Sequence, residues 1–162
     1  PFYAVTRAAS SPLTVSANGV LSFTGGIASF STTGIPNASP PNAALYPFWD
    51  DLQQRPAPDG ICVKTLGVSG SRRFAVEWRN ARFWSGSLAT FLTFEVVLNE
   101  ADGTIDFFYP TLTGGTAAEI TQASGSGATI GVENDTGQVA TQHSFNTAGS
   151  VTTTTALRFT PQ

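Results

Sequence analysis

Charged residues are scarce in this sequence of 162 residues: they make up only 12% of the chain, against about 25% in an ordinary soluble domain. The shortage excludes a coiled coil and a charged disordered tail, because both need far more Glu, Lys and Arg. Polarity comes instead from 22 Thr and 15 Ser. No stretch approaches the roughly 18 uninterrupted apolar residues of a transmembrane helix, so we expect no membrane insertion.

Basic residues are also few, because one Lys and seven Arg stand against eleven acids and give a net charge of −3. A protein that binds nucleic acid needs a basic face to neutralise phosphates. The one close pair of basic residues in the sequence is Arg72-Arg73. We therefore expect no nucleic acid among the partners.

Cysteine and methionine are nearly absent: Cys62 is the single cysteine, and there is no Met. One cysteine cannot form an internal disulfide or a zinc site. A large core without disulfides fits a bacterial extracellular protein better than a eukaryotic secreted one. The length fits one domain over residues 1–162. With no Met and no signal peptide, we expect the chain to be a fragment or processed form of a larger secreted or surface protein.

Short runs of alternating apolar and polar residues recur along the chain, separated by Gly, Pro, Asn or Asp. This spacing is typical of an all-β sandwich or barrel. Residues 14–16 and 20–23 flank Asn18-Gly19, which tolerates the positive φ angles of a tight hairpin turn. Residues 73–79 alternate cleanly, which indicates a half-buried strand. The apolar face of that strand carries Phe74, Val76 and Trp78.

A second hairpin is predicted where residues 90–98 and 105–109 flank Asp102-Gly103. Weaker strands are predicted at residues 61–66, 128–133, 139–145 and 156–160. No helical periodicity is sustained for the ten or so residues that a helix normally needs. We interpret residues 36–41 as a proline-rich loop and residues 113–127 as a long surface loop or a partly ordered connection. The prediction is a single antiparallel β-sandwich of roughly nine to twelve strands.

Several segments, in order, resemble the nidogen-like extracellular domain, including its bacterial relatives. Residues 15–23 resemble its valine-rich strand, Asn-Gly turn and following strand. Residues 42–52 contain Pro47-Phe48-Trp49-Asp50-Asp51, which is similar to the family's Pro-Phe-Trp signature. Residues 73–80 and 92–98 resemble its Trp-Asn and Thr-Phe-Gln strands, and residues 128–134 resemble a further strand of the bacterial relatives. Glu95 stands where the family often has Gln.

The resemblance implies an extracellular or cell-surface module for adhesion or matrix contact, with no catalytic residues to carry over. An inventory of reactive groups agrees, because His143 and Cys62 are the only residues of their types. We expect His143 to be an exposed strand residue and Cys62 a small buried apolar one. No glycines of a nucleophile elbow surround any Ser. We therefore expect no enzyme and no catalytic residues.

The alternative to a non-catalytic module is a hydrolase that uses a pair of carboxylates. Glu77 and Glu95 sit in the middle of predicted strands and are candidates for cross-strand neighbours. Glycoside hydrolysis needs two carboxylates facing one cleft at about 5–10 Å. The other candidate carboxylates are Glu100, Asp106 and Glu133. The simpler interpretation pairs Glu77 and Glu95 with nearby arginines on a solvated sheet face.

Asp50-Asp51 is a candidate cation site. If the chain turns there, both carboxylates can join Asp59 or a backbone carbonyl to supply hard oxygen ligands for Ca²⁺. The alternative is that an Asp accepts hydrogen bonds from amides of the loop and ends the strand. Calcium is the one cofactor that the sequence suggests.

Aromatic residues near this motif are candidates for ligand contact: Tyr46, Trp49, Phe83 and Trp84. Exposed aromatic rings on loops stack on sugars or anchor protein partners. The alternative is that the loop around Trp84 folds back and caps the sandwich. The sequence thus predicts a non-catalytic adhesion or interaction module of a bacterial secreted or surface protein, with an extracellular protein or a glycan as partner. The alternative function is a carbohydrate-binding module, lectin-like and with calcium as a candidate requirement.

Overall fold

The structure is a computed structural model, and it describes residue 3, residues 12–26 and residues 29–161. In this part of the chain, eleven strands form two antiparallel sheets. The first sheet has five strands in the order β1-β2-β3-β9-β10. Its strands are β1 (Thr14–Ser16), β2 (Val20–Ser22), β3 (Ala44–Trp49), β9 (Thr129–Glu133) and β10 (Ala140–Phe145).

The second sheet is built from the middle of the chain and its last strand, in the order β11-β8-β7-β6-β4. Its strands are β4 (Leu52–Gln53), β5 (Gly60–Leu66), β6 (Arg73–Phe83), β7 (Phe91–Asn99), β8 (Ile105–Thr113) and β11 (Ala156–Phe159). Strand β6 is long enough to pair with two short strands on one side. Its N-terminal part pairs with β5, and its C-terminal part pairs with β4.

The main core lies between the two sheets, where buried apolar side chains of β2, β3 and β9 pack with those of β6, β7 and β8. Trp78 is fully buried and stacks on Phe94 with 5.0 Å between the ring centroids. Its Nε1 donates a hydrogen bond to the Ser16 carbonyl oxygen at 2.8 Å. Phe94 in turn contacts Phe48 of the five-stranded sheet. The predicted single antiparallel sandwich, the predicted number of strands and the core position of Trp78 are confirmed.

A second, smaller apolar cluster lies apart from the main core, against the five-stranded sheet. The loop between β2 and β3 contributes Ile35, which packs with Tyr46 and Trp49. In the same loop, the Ser29 carbonyl oxygen accepts a hydrogen bond from Trp49 Nε1 at 3.1 Å. All six residues of β3 are consequently buried.

Both predicted hairpins are present. In the first, Gly19 has φ +71°, and a Cβ at this position would collide with the Phe48 carbonyl group. In the second, Asp102 Oδ1 accepts hydrogen bonds from the backbone N–H and the hydroxyl of Thr104, at 2.9 and 2.7 Å. Gly19 thus supplies the positive φ angle that the first turn needs, and the Asp102 carboxylate bonds the backbone of the second turn.

The segment at residues 113–127 is partly ordered, which was one of the two alternatives that the sequence left open. It contains a short helix, α1 (Ala117–Thr121), followed by a wider π-type turn at Gln122–Ser126. Thr116 Oγ1 accepts a hydrogen bond from the Glu119 backbone N–H and donates one to the Glu119 carboxylate at 2.8 Å. A helix of five residues is too short to show helical periodicity in the sequence. The signal that the sequence does contain is the capping pair of Thr116 and Glu119. No helix among the described residues has the length and apolarity to cross a membrane.

Candidate functional site

The four aromatic residues predicted to contact a ligand occupy two different environments. Tyr46, Trp49 and Phe83 are at most 3% exposed, whereas Trp84 is 61% exposed. Tyr46 stacks on Trp49 with 5.3 Å between the ring centroids, inside the cluster under the β2–β3 loop. In this structure, a ligand therefore reaches Trp84 but not the other three rings.

Tyr46 belongs to a buried hydrogen-bond network. Its hydroxyl donates to Glu133 Oε2 at 2.8 Å and also contacts the Pro41 carbonyl oxygen. Glu133 Oε1 accepts a hydrogen bond from the Asn37 backbone N–H at 2.5 Å. Burial raises the pKa of Glu133, and the bonds from Asn37 and Tyr46 partly oppose this shift. The network ties the β2–β3 loop to β3 and β9, so Glu133 holds the fold together rather than facing a cleft.

The loop that carries Trp84 is held at several points. The Trp84 backbone N–H donates to the Asp51 carbonyl oxygen at 2.8 Å. Further along, the Ser87 backbone N–H donates to Glu119 Oε1 at 2.7 Å, which joins the loop to α1. This bond is the largest cause that lowers the pKa of Glu119. The loop folds against the sandwich, as the alternative interpretation expected, yet its indole stays in solvent.

Two further large apolar side chains are exposed on the Trp84 loop and on α1, which the Ser87–Glu119 bond joins. Leu88, on the Trp84 loop, is 70% exposed, and Ile120, on α1, is 61% exposed. We refer to Trp84, Leu88 and Ile120 as the Trp84 surface.

The predicted cation ligands do not converge. Asp50 is buried, and its carboxylate accepts hydrogen bonds from the Asp51 backbone N–H at 2.8 Å and from Gln122 Nε2 at 3.0 Å. Burial is the main cause that raises the pKa of Asp50. Asp59 accepts a hydrogen bond from Asn80 Nδ2 at 2.8 Å. Within the described residues, no group of three or more His, Cys, Asp or Glu side chains could hold a metal ion. Asp50 instead bonds a loop amide, which was the alternative interpretation.

His143 and Cys62 lie in different sheets, on β10 and β5. His143 is exposed, as predicted, and its Nε2 lies 2.9 Å from the Ser150 carbonyl oxygen. Cys62 is half-buried, so the prediction of a buried cysteine is wrong. The reason is that β5 is an edge strand with most of its side chains in solvent.

The outer face of the six-stranded sheet carries a groove of about 460 Å³. We call it the sheet groove; its lining includes Lys64, Arg73, Ala75, Glu77, Glu95 and Val97. Glu77 of β6 and Glu95 of β7 are direct cross-strand neighbours, which confirms the predicted pairing. A second hollow of about 330 Å³ continues from it, because Glu95 and Phe108 line both.

Charges in the sheet groove are only partly paired. Arg79 Nε bonds Glu77 Oε1 at 2.6 Å. Arg158 bonds both carboxylate oxygens of Asp106, at 2.6 and 2.9 Å, and this is the largest cause that lowers the pKa of Asp106. The Glu95 carboxylate forms no hydrogen bond or ion pair with any residue that the structure describes. Burial, followed by the charge of Glu77, raises the pKa of Glu95.

The architecture is a β-sandwich with an exposed tryptophan on one loop and a groove on one sheet face. Residues 5–162 match the family model described as NIDO related, so the chain belongs to this family. Searches of curated proteins and of solved structures each found no match. The match confirms the nidogen-like resemblance, and membership of the family suggests an extracellular module.

Proposed function

We propose that this protein is a non-catalytic adhesion module of a bacterial secreted or surface protein, and that it binds an extracellular protein or a glycan. The observation that carries the proposal is Trp84, a large aromatic side chain held in solvent by a hydrogen-bonded loop. Family membership supports the extracellular setting.

The Trp84 surface has the properties of a binding anchor. A tryptophan exposes a large apolar area that gains free energy when a partner covers it, and Trp is enriched among the residues that dominate binding energy. The Trp84 loop is already fixed by the bonds to Asp51 and Glu119, so little conformational entropy is lost when a partner binds. Leu88 and Ile120 enlarge the apolar area.

The absence of catalysis is part of the proposal. Glu119 of α1, a buried acid that is bonded to the Trp84 loop, already accepts hydrogen bonds from Ser87 and Thr116. His143 and Cys62 are in different sheets and cannot form a nucleophile and base pair without a rearrangement of the fold. A hydrolase would instead have to use the carboxylates of the sheet groove.

The test is a binding screen of the whole chain against immobilised extracellular matrix proteins and a glycan array. Trp84→Ala is the variant, and Val68→Ala is the matched control. Val68 is 73% exposed and lies beyond the other end of β6, which spans roughly 30 Å. We expect Trp84→Ala to weaken binding about tenfold or more, as for an interface anchor. Val68→Ala should bind like the unchanged protein.

Three results would count against the proposal. Equal binding by the Trp84→Ala and unchanged proteins would show that the Trp84 surface is not the contact. An absence of binding to every member of the screen would favour a purely structural spacer. Turnover of glycoside or ester substrates that is lost in Glu95→Gln would show that the protein is a hydrolase.

A further inference from the structure

We propose that the sheet groove binds an acidic oligosaccharide: Lys64 and Arg73 hold a carboxylate of the ligand, and Glu95 accepts hydrogen bonds from sugar hydroxyls beside the Phe108 ring. This site is separate from the Trp84 surface, so the inference goes beyond the proposed function and fails or holds independently of it.

Some charged side chains of the sheet groove have a partner, and others do not. Glu77 is paired with Arg79, and Asp106 with Arg158, so these four residues neutralise one another. Three other charged side chains of the groove lining form no hydrogen bond or ion pair with residues 3, 12–26 or 29–161; they are Lys64, Arg73 and Glu95. The free groups are thus two cations and one carboxylate.

The strand register places the free groups at the two ends of the sheet groove. Lys64 lies opposite Ala75, two residues from Arg73, so the two cations are diagonal neighbours on adjacent strands. Glu95 lies opposite Glu77, four residues along β6 from Arg73, which corresponds to about 13 Å. A ligand that satisfies both ends must be longer than a single sugar ring or a metal ion.

The stability of the fold does not explain why a glutamate occupies position 95. Like charges directly opposite each other in a sheet are destabilising, and Glu95 faces Glu77 while half-buried and without a donor. Positions that break such a local rule are expected at functional sites. Sugar hydroxyls are donors that would satisfy this carboxylate.

A glycan fits the sheet groove better than an extended peptide. The face of a sheet offers only side chains, because its backbone groups point along the sheet, so a peptide laid there would leave its own N–H and C=O groups unpaired. Peptides that bind as strands add to a sheet edge instead. Phe108 is 39% exposed and lies opposite Glu95, so one ring can cover the apolar face of a sugar whose hydroxyls reach the carboxylate. Ala75 and Val97 leave space between the two ends.

The experiment is titration calorimetry of the whole chain with three acidic probes: tetragalacturonate, a hyaluronan tetrasaccharide and sialyllactose. The methyl ester of tetragalacturonate is the neutral control. We expect at least one acidic probe to bind, and, if it is tetragalacturonate, its ester to bind about tenfold more weakly, which is the effect of one charge-assisted hydrogen bond. Arg73→Gln, Lys64→Gln and Glu95→Gln should each weaken binding by a similar factor.

Matched variants separate this site from a general effect of charge. Arg72→Gln is the control for Arg73→Gln, because Arg72 is the neighbouring residue but pairs with Glu100 and does not line the sheet groove. It should bind the acidic probe like the unchanged protein. Glu95→Gln removes a like-charge contact, so it should unfold at the same or a higher temperature, and lost binding will not reflect lost folding.

Several outcomes would overturn the inference. They are no binding of any acidic probe at millimolar concentration, equal binding of tetragalacturonate and its ester, and equal weakening by Arg72→Gln and Arg73→Gln. Binding of tetralysine that depends on Glu95 would assign the groove to a cationic ligand instead. Binding that is lost in Trp84→Ala but kept in Arg73→Gln would move the glycan to the Trp84 surface, which refutes this inference and supports the proposed function.

Discussion

Replacing Tyr46 by Phe tests whether this residue is a structural anchor. The substitution removes one buried oxygen and leaves the ring, with its stacking on Trp49, in place. The lost hydroxyl donates to Glu133 and contacts the Pro41 carbonyl oxygen. Because Glu133 is only 1% exposed, water cannot readily replace the missing donor.

The loss of stability depends on Glu133, the buried acceptor that loses its donor. A hydrogen bond to a charged group contributes about 1.5–3 kcal/mol, and an orphaned buried acceptor costs a similar amount. We expect Tyr46→Phe to lower the free energy of unfolding by about 2–3 kcal/mol at pH 8. For a chain of this length, that corresponds to a midpoint of thermal unfolding roughly 4–12 °C lower.

The effect should depend on pH, because burial raises the pKa of Glu133 in the folded protein. The unfolded chain has the ordinary value of about 4.3, so the folded state binds the proton more tightly. Stability from this group is therefore present at low pH and falls as the pH rises through the folded pKa. The Tyr46 hydroxyl offsets part of that loss by stabilising the carboxylate, so its removal should cost more at pH 8 than at pH 4.

The assay is urea unfolding followed by tryptophan fluorescence at pH 4 and pH 8. Tyr109→Phe is the matched control, because Tyr109 is equally buried but its hydroxyl donates to the Pro47 carbonyl oxygen at 2.8 Å. It should cost about 1 kcal/mol at both pH values. Glu133→Gln should flatten the pH dependence and shrink the cost of Tyr46→Phe in the double variant. A cost of Tyr46→Phe that is equal at both pH values, or below about 0.5 kcal/mol at pH 8, would refute the reasoning.

Three further predictions concern the turns and the charged groups. Gly19→Ala should destabilise the protein by about 2–4 kcal/mol in thermal unfolding, because the positive φ and the collision with the Phe48 carbonyl group act together. Asp106→Asn should cost about 1 kcal/mol at pH 7, since Arg158 lowers the pKa of Asp106; the contribution is lost as the pH falls through that lowered value, so the two proteins should converge in acid unfolding. The unfolding midpoint should be equal in calcium and in chelator, because Asp50 already holds an amide on each oxygen; an increase of several degrees in calcium would show a site.

Several strands were predictable from the alternation of apolar and polar residues or from a turn sequence beside them. The alternation at residues 73–79 and the Asn18-Gly19 and Asp102-Gly103 turns are local signals, and the structure contains the hairpins and strand that they predicted. Strand β3 gives no such signal, because all six of its residues are buried. The sequence identifies residues 36–41 as a loop but cannot show that this loop and β3 are joined through Glu133.

The site residues were harder to predict, because their roles depend on contacts between distant parts of the chain. Tyr46 and Trp84 look alike as aromatic residues beside loops, and only the packing of the β2–β3 loop buries one of them. The cross-strand position of Glu77 and Glu95 follows from two alternating strands. That Glu95 stays unpaired could not be predicted, since it depends on which carboxylate each arginine reaches.

The pairing of β3 with β9 determines when this sandwich can form during synthesis. Ala44 lies opposite Glu133, roughly 90 residues later, and Tyr46 lies opposite Gly131. The centre of the five-stranded sheet therefore cannot close until β9 has left the ribosome, and contacts so distant in sequence slow folding. Until then, β3 has an unpaired edge and an apolar surface that invite aggregation. A truncation that ends before β9 should yield insoluble protein rather than a smaller folded unit.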